Sequence, residues 1–440
     1  MSYLKKRKLK ALGSVEVMAV YFKSIAEFMA RNMDNITVEY RYTEVNSFMD
    51  SIRYGLRPVG YPRRYDAIHM SNIPDYTGGH LTTTIHGTGI LKNGGFVQFN
   101  CLANTGIWEN VDNAMAEYLG LPSLSCAERY LGMTLAPGEE YDPTAGWVSM
   151  LADYRWVYTP PNRDSLIPKL EVHTWLTHMF FHLALPTKRS PDMPAWIGGA
   201  ICRVYQPLTI NTWIRLLCYV VESRHYPKHW ISALVEAILS GTVNTSARPA
   251  RACPLKVREL QTPHPAKPIS TQPFVPELRT LLARQLQHLP FKLATPLPSP
   301  ADILRCEIAI TPLTDVVAPV LSLVFSRQIQ IPDLIPSLNP LDDRNLWDTL
   351  AGDDEPVRKK ETIVIGNFEW DGEWVLNTPF TPIEEMKRVK ARFCVERRVL
   401  DMMRREGWRC ALIRTDLWCL ASMDPETVAE ATTVLGTLGS

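Results

Sequence analysis

The sequence has no close pair of cysteines. Its nine cysteines (Cys101, Cys126, Cys202, Cys218, Cys253, Cys306, Cys394, Cys410 and Cys419) are scattered, and no C-x-x-C spacing occurs. A zinc site made of two such pairs is therefore excluded. An odd number of thiols without a secretory leader points to reduced, mostly buried side chains. Long apolar runs are also missing. The best stretch, Leu313 to Phe325, is broken by Asp315 and Pro319 and falls short of the ~18 residues of a membrane span. Charge of one sign is not in excess, with 47 Lys+Arg against 46 Asp+Glu. Overall electrostatics thus direct the chain neither to nucleic acid nor to an anionic membrane. The one basic run, Lys5 to Lys10, reads as a solvated terminus or a short nuclear-import signal. The expected compartment is the cytoplasm, with the nucleus reached only through that run. No G-x-S-x-G elbow, Walker loop or paired-carboxylate motif is found, so no catalytic residue is assigned.

What is present is an ordinary globular composition, 46% hydrophobic and 21% charged over 440 residues. That length allows two or three domains. Val15, Met18, Phe22, Ile25, Ala26 and Met29 recur at helical spacing, predicting an amphipathic helix over 15–32 with Ser14 as its cap. Ile36 to Tyr40 alternates and is rich in β-branched residues, which predicts a strand. A second helix, capped by Asn46 and stopped by Gly55, leads through a Pro/Gly loop to a buried strand at 65–71. A turn at 72–76 and a Gly78-Gly79 helix start follow, then an alternating strand at 96–101. Helix–strand–helix–strand–helix is the rhythm of a doubly wound sheet, whose ligands bind beyond the carboxyl ends of its strands. Thr43–Asn46 and Ser71–Tyr76 form the expected crevice.

Apolar helices are expected over 170–185, 208–221, 229–239 and 277–288, with a Pro-rich connection at 246–276. Strands are expected at 303–310 and 321–331, and Arg409 to Cys419 is expected to join their sheet. The segments 362–370 and 373–376 flank Asp371-Gly372, a pair suited to a tight hairpin turn. Residues 383–405 read as a long charged helix. Trp370 and Trp374 flank the turn and are expected to pack across it. The fold class is α/β: a partial doubly wound sheet over 1–140, a helical region over 141–300, and an α+β region with the hairpin over 301–440.

The run Tyr65-Asp66-Ala67-Ile68-His69-Met70-Ser71-Asn72-Ile73-Pro74-Asp75-Tyr76-Thr77-Gly78-Gly79 resembles a segment of a fungal protein family. That family carries a domain like the N-terminal domain of dynein axonemal assembly factor three, often with a MYND zinc finger. Ser51 to Leu56, His229 to Ser232, Ile238 to Thr242 and Thr245 to Pro249 look similar to the same family, so the likeness covers about 15–285 in patches. It implies a Rossmann-like, methyltransferase-like fold, and it brings no demonstrated reaction. This chain departs from the family's pattern in two ways. It lacks the finger, and before Asp34 its only glycine is Gly13, so the Gly-rich turn that would cradle S-adenosylmethionine is not seen. The expected function is accordingly that of a non-catalytic, methyltransferase-like interaction protein with a protein partner and no cofactor. The alternative is an S-adenosylmethionine-dependent methyltransferase.

In that alternative, Glu44 beyond the strand at 36–42 would contact adenine, with Ser71 and Asn72 lining the crevice. Asn72, Pro74, Asp75 and Tyr76 are similar to the Asn-Pro-Pro-Tyr motif of amino-methyltransferases, but Ile73 intrudes and Asp75 replaces the second proline. A structural turn is the better reading there. His69 and His86 read as interior histidines or crevice bases. His178 and His182, one helical turn apart, read as a buried hydrogen-bonded pair, since no carboxylate completes a metal site.

Overall fold

The computed structural model describes residues 14–71, 73–100, 108–138, 154–159, 166–185, 188–189, 209–249, 252–253, 257–311, 321–327, 350, 361–370, 389–415, 419–420, 422 and 425–438. The chain divides into two compact units, Met1–Ser47 and Phe48–Ser440. The first contains helix α1 (Ser14–Arg31) and an extended segment. Residues 36–42 do not form the expected strand: they pair with no other strand among the described residues. Val38, Tyr40 and Tyr42 are 78%, 86% and 97% exposed. β-branched composition alone does not make a strand when no neighbour takes its ladder bonds and no core takes its side chains.

Helix α2 (Val45–Arg53) crosses the boundary between the units, buries Met49 and Ile52, and ends before Gly55, whose φ of 69° suits only glycine well. Strand β1 (Tyr65–Met70) leads through a short turn into α3 (Gly79–Gly87) and then into β2 (Leu91–Phe99). β1 and β2 pair in parallel, so the connection through α3 is a crossover. The remainder of this sheet departs from the doubly wound pattern. Beyond α4 (Val111–Leu119) and α5 (Ala127–Leu131), β3 (Met133–Leu135) and β4 (Tyr154–Tyr158) join antiparallel, giving the order β1-β2-β4-β3. β4 lies past residue 140, so the sheet runs across the boundary drawn there from sequence.

The helical middle follows its hydrophobic pattern: α6 (Lys169–Ala184), α7 (Ile210–Glu222) and α8 (Lys228–Leu239). α6 is buried over most of its circumference because α7, α8 and the end of α4 surround it. Trp213 Nε1 donates to Leu176 O at 2.8 Å and Trp175 Nε1 to Leu119 O at 3.0 Å, so two large indoles enter the core with their polar atoms satisfied. The Pro-rich connection contributes β6 (Lys267–Ser270), which pairs antiparallel with β5 (Thr242–Thr245), and then leads into α9 (Val275–Gln285).

The C-terminal region is a pair of antiparallel sheets around one apolar core. One sheet runs β9 (Thr362–Ile365), β8 (Leu321–Ser326), β12 (Arg409–Arg414), β13 (Cys419–Leu420), with β14 (Glu426–Thr427) also on β12. The other runs β10 (Phe368–Trp370), β11 (Val389–Glu396), β7 (Ile303–Ile310), β15 (Thr432–Thr437). Cys306, Ile308, Phe325, Ile365, Phe393 and Leu412 meet between them. Two expectations change here. Residues 362–370 are not one arm of a hairpin: the chain breaks at Gly366-Asn367, and β9 and β10 enter different sheets. Residues 371–376, with the expected turn and Trp374, lie outside the described residues. Of the charged segment expected as one long helix, residues 383–388 lie outside the described residues, and the rest is strand β11 followed by helix α10 (Arg397–Arg405). Ala391, Phe393 and Val395 point into the core, while Lys390 and Arg392 reach Glu307 on β7 at 2.8 and 2.9 Å. Those alternating charges are cross-strand pairs rather than a helix face.

α9 joins the helical layer to these sheets. Glu277 is buried, and its Oε1 accepts from the backbone N–H groups of Gly366 at 3.0 Å and Asn367 at 2.7 Å. Burial pushes this carboxyl up to about 7, against the two backbone bonds. A folded-state value raised above 4.5 contributes stability that is present below pH 4.5 and lost as pH rises through about 7. Glu277→Gln keeps an acceptor without the charge. It is expected to recover about 3 kcal/mol, relative to wild type, between pH 5 and pH 8. Urea unfolding of both proteins at the two pH values measures this, and parallel pH dependences would refute it.

Candidate functional site

The carboxyl ends of β1 and β2 are where a parallel pair would hold a ligand. β1 ends at Met70, and Ser71 is exposed beyond it. Gly78, at φ 104°, turns the chain into α3. Asn72 lies outside the described residues. Glu44 does not end a strand. Its Oε1 accepts from Asn46 N at 2.9 Å and its Oε2 from Ser47 N at 2.6 Å. The carboxylate thus caps α2, the role that sequence gave to Asn46, and its charge faces the positive end of the helix. Glu44 falls in the first unit and Ser71 in the second.

A polar cluster that sequence reasoning missed lies among α2, α3 and α7. Asp50 Oδ1 is 3.0 Å from His86 Nδ1, and Asp50 Oδ2 is 2.9 Å from an Arg215 guanidinium nitrogen. Arg215 also donates to the Tyr54 hydroxyl at 3.0 Å, while Arg53 pairs with Glu222 and donates to Ile85 O at 3.4 Å. Burial works to raise the Asp50 carboxyl, but the His86 hydrogen bond and the His86, Arg215 and Arg53 charges hold it below its ordinary range. Tyr54 and Arg215 are 161 residues apart, so only the packing of α2 on α7 reveals the network. An aspartate-held imidazole can act as a base. Here no hydroxyl or thiol is bonded to His86 Nε2 among the described residues, and Asp50 binds an arginine as well. The neighbouring Cys218 thiol is pushed up to about 12 by burial, the reverse of an activated nucleophile. This arrangement ties three helices together. Burial likewise raises the thiols of Cys306, Cys394 and Cys410.

His69 is exposed on β1, whereas His178 and His182 are buried on α6. No group of three His, Cys, Asp or Glu side chains able to hold a metal occurs among the described residues. No helix among them is long and apolar enough to cross a membrane.

The feature with functional weight is α1. Periodicity places Met18, Tyr21, Phe22, Ile25, Phe28 and Met29 on neighbouring turns, and all are exposed. Phe22 and Phe28 are each 59% exposed. The helix expected over 15–32 from this periodicity is present as Ser14–Arg31. Among the described residues, α1 carries a long Lys23–Glu27 contact at 4.0 Å, side-chain bonds to the helix's own carbonyls and an edge contact between Tyr21 and Phe22. A contiguous apolar face of this kind is characteristic of binding surfaces. Comparison with protein-family models, with curated proteins and with solved structures finds no match for this chain.

Proposed function

We propose that the chain is a non-catalytic interaction protein of methyltransferase-like kind, related to the family its residues 65–79 resemble, and that α1 is its docking element. The outward apolar face of α1 carries this reading. An amphipathic helix of this length suits an apolar groove on a protein partner, with side chains at i, i+3, i+4 and i+7 as anchors. The commitment of Glu44 to a helix cap, and the absence of an activated thiol among the described cysteines with raised values, favour binding over chemistry. Exposed phenylalanines that become buried on binding are worth about 2 kcal/mol each when removed. The double variant Phe22→Glu, Phe28→Glu should therefore weaken partner capture at least ~30-fold while leaving the thermal transition of Phe48–Ser440 in place. Quantitative pulldown from native extract against the wild-type chain tests this. Equal capture by both proteins would remove α1 from the reading.

The alternative, an S-adenosylmethionine-dependent methyltransferase, is supported by the parallel crossover from β1 through α3 to β2, with glycine at its strand-to-helix turn. Calorimetric titration with S-adenosylmethionine and S-adenosylhomocysteine separates the two. Saturable binding tighter than roughly 100 μM favours the enzyme, and no heat favours the interaction protein. The basic run at Lys5–Lys10, the basis for nuclear entry, lies outside the described residues.

A further inference from the structure

His178 and His182 sit one turn apart on α6, both more than nine-tenths buried, with ring planes 7° apart and centroids 6.2 Å apart. One ring is hydrogen-bonded to the backbone of Arg248 and the other to that of Glu117, contacts that favour a proton on the bonded nitrogen. This fixes each tautomer: the bonded nitrogen carries the proton. The second nitrogens, His178 Nε2 and His182 Nδ1, are buried without a hydrogen-bond partner among the described residues. Burial depresses both imidazoles to about 4, so both are neutral at pH 7. Two bare acceptors cannot satisfy one another, and leaving buried acceptors unpaired is unfavourable. They need a donor that offers two hydrogens from one small volume.

We propose that His178 Nε2 and His182 Nδ1 together form an internal acceptor site that binds one water molecule as a double donor. At N···O distances of about 2.9 Å and an H–O–H angle of about 105°, one doubly donating water spans acceptors about 4.6 Å apart, a separation within reach of nitrogens on rings whose centroids lie 6.2 Å apart. Its neighbours include Gly120, where a Cβ would stand 2.9 Å from His178 Cδ2 and 2.4 Å from Met179 Sδ, so α6 lies close against the chain that follows α4. The site links α6 to the backbone at Glu117 and Arg248, three segments distant in sequence. A metal ion would also accept these lone pairs, but it would lack a third protein ligand among the described residues.

Long-range ¹H–¹⁵N correlation on the intact wild-type chain at pH 7 tests the proposal, combined with water–protein cross-relaxation and addition of Zn²⁺ in a parallel sample. The expected result is one tautomer per ring, protonated at His178 Nδ1 and His182 Nε2, with slowly exchanging water detected beside both rings and no change on adding Zn²⁺. Protons on the facing nitrogens, or no bound water, would overturn it. Stoichiometric loss of the water signal with displaced His178 and His182 nitrogen shifts would show a metal site instead. His182→Phe, which removes one acceptor, should abolish the water signal beside His178.

Discussion

Lowering the pH from 7 to 4 should unfold this protein, and three buried histidines should account for most of the loss. Burial depresses His80 to about 3 and His178 and His182 to about 4, from an ordinary 6.5. In the unfolded chain each takes up a proton near pH 6.5, and in the folded chain it cannot. The unfolded state therefore binds more protons across this window. Stability from these groups is full above pH 6.5 and is lost as pH falls from there through about 4. Each shift corresponds to on the order of 3–5 kcal/mol, and three of them rival the whole ~5–15 kcal/mol stability of a folded chain. Glu277 acts in the opposite direction, because its stabilising contribution grows as it is protonated, but it is one group against three. Circular dichroism during acid titration should show a cooperative transition between pH 6 and 4. His80, wedged between Phe99 at 4.8 Å and Tyr118 at 5.2 Å, gives the cleanest variant. His80→Phe should move the midpoint lower by roughly half a pH unit or more, provided the ring is accommodated at neutral pH. An unchanged midpoint in a variant that is stable at pH 7 would show that these rings protonate without unfolding the chain.

The parts of this architecture that were legible in the sequence are those decided by local pattern. α6, α7 and α8 carry apolar residues around most of their circumference and lack internal proline, and they are the buried helices of the structure. β7 was equally plain, and β1 was legible as a strand, although only Met70 of it is buried where its apolar composition had suggested a buried strand. The failures arise where a distant partner decides. Ile36–Tyr40 has strand composition, yet no strand edge among the described residues receives it. Val389–Glu396 has helix-like charge density, yet its eight residues pair in register with Ile303–Ile310, and its cations meet Glu307 there. The alternation of Ala391, Phe393 and Val395 was visible, but it was outweighed by the long charged run around it. Glu44 shows the same limit on a small scale. A carboxylate before a helix can cap it or face a ligand, and only the two backbone bonds to Asn46 and Ser47 decide. The site residues were less legible still. The Asp50–His86–Arg215 network depends on packing between helices, and the orphaned nitrogens of His178 and His182 depend on where Arg248 and Glu117 place their carbonyls.

Gly132→Ala should be among the most damaging single-methyl changes in the chain. Gly132 follows α5 with φ 69° and its N–H bonds to Glu128 O at 2.9 Å, a glycine-favoured way to end a helix. Its carbonyl accepts from Thr159 N at 2.8 Å, which fixes the end of β4 beside the start of β3. A Cβ at this position would stand 2.2 Å from an Arg224 guanidinium nitrogen and 2.9 Å from Thr159 O. Arg224 cannot easily withdraw. It is 3% exposed, and it donates to Thr159 O at 3.0 Å and Glu128 O at 3.3 Å, the same two residues that Gly132 binds. The added methyl must either displace a buried cation from its acceptors or open the contact between β3 and β4. Backbone strain at positive φ costs about 1 kcal/mol, and stranding the guanidinium costs about 3–5 kcal/mol. Gly407 supplies the control. It also follows a helix at positive φ, 68°, but nothing lies within 4 Å of the Cβ position. Gly407→Ala should cost about 1 kcal/mol, the backbone share alone. Denaturant unfolding of both variants should then separate them by about 3 kcal/mol or more. Equal losses would mean that Arg224 moves aside freely and that the bonds joining it to Thr159 and Glu128 contribute little to holding β4 in the sheet.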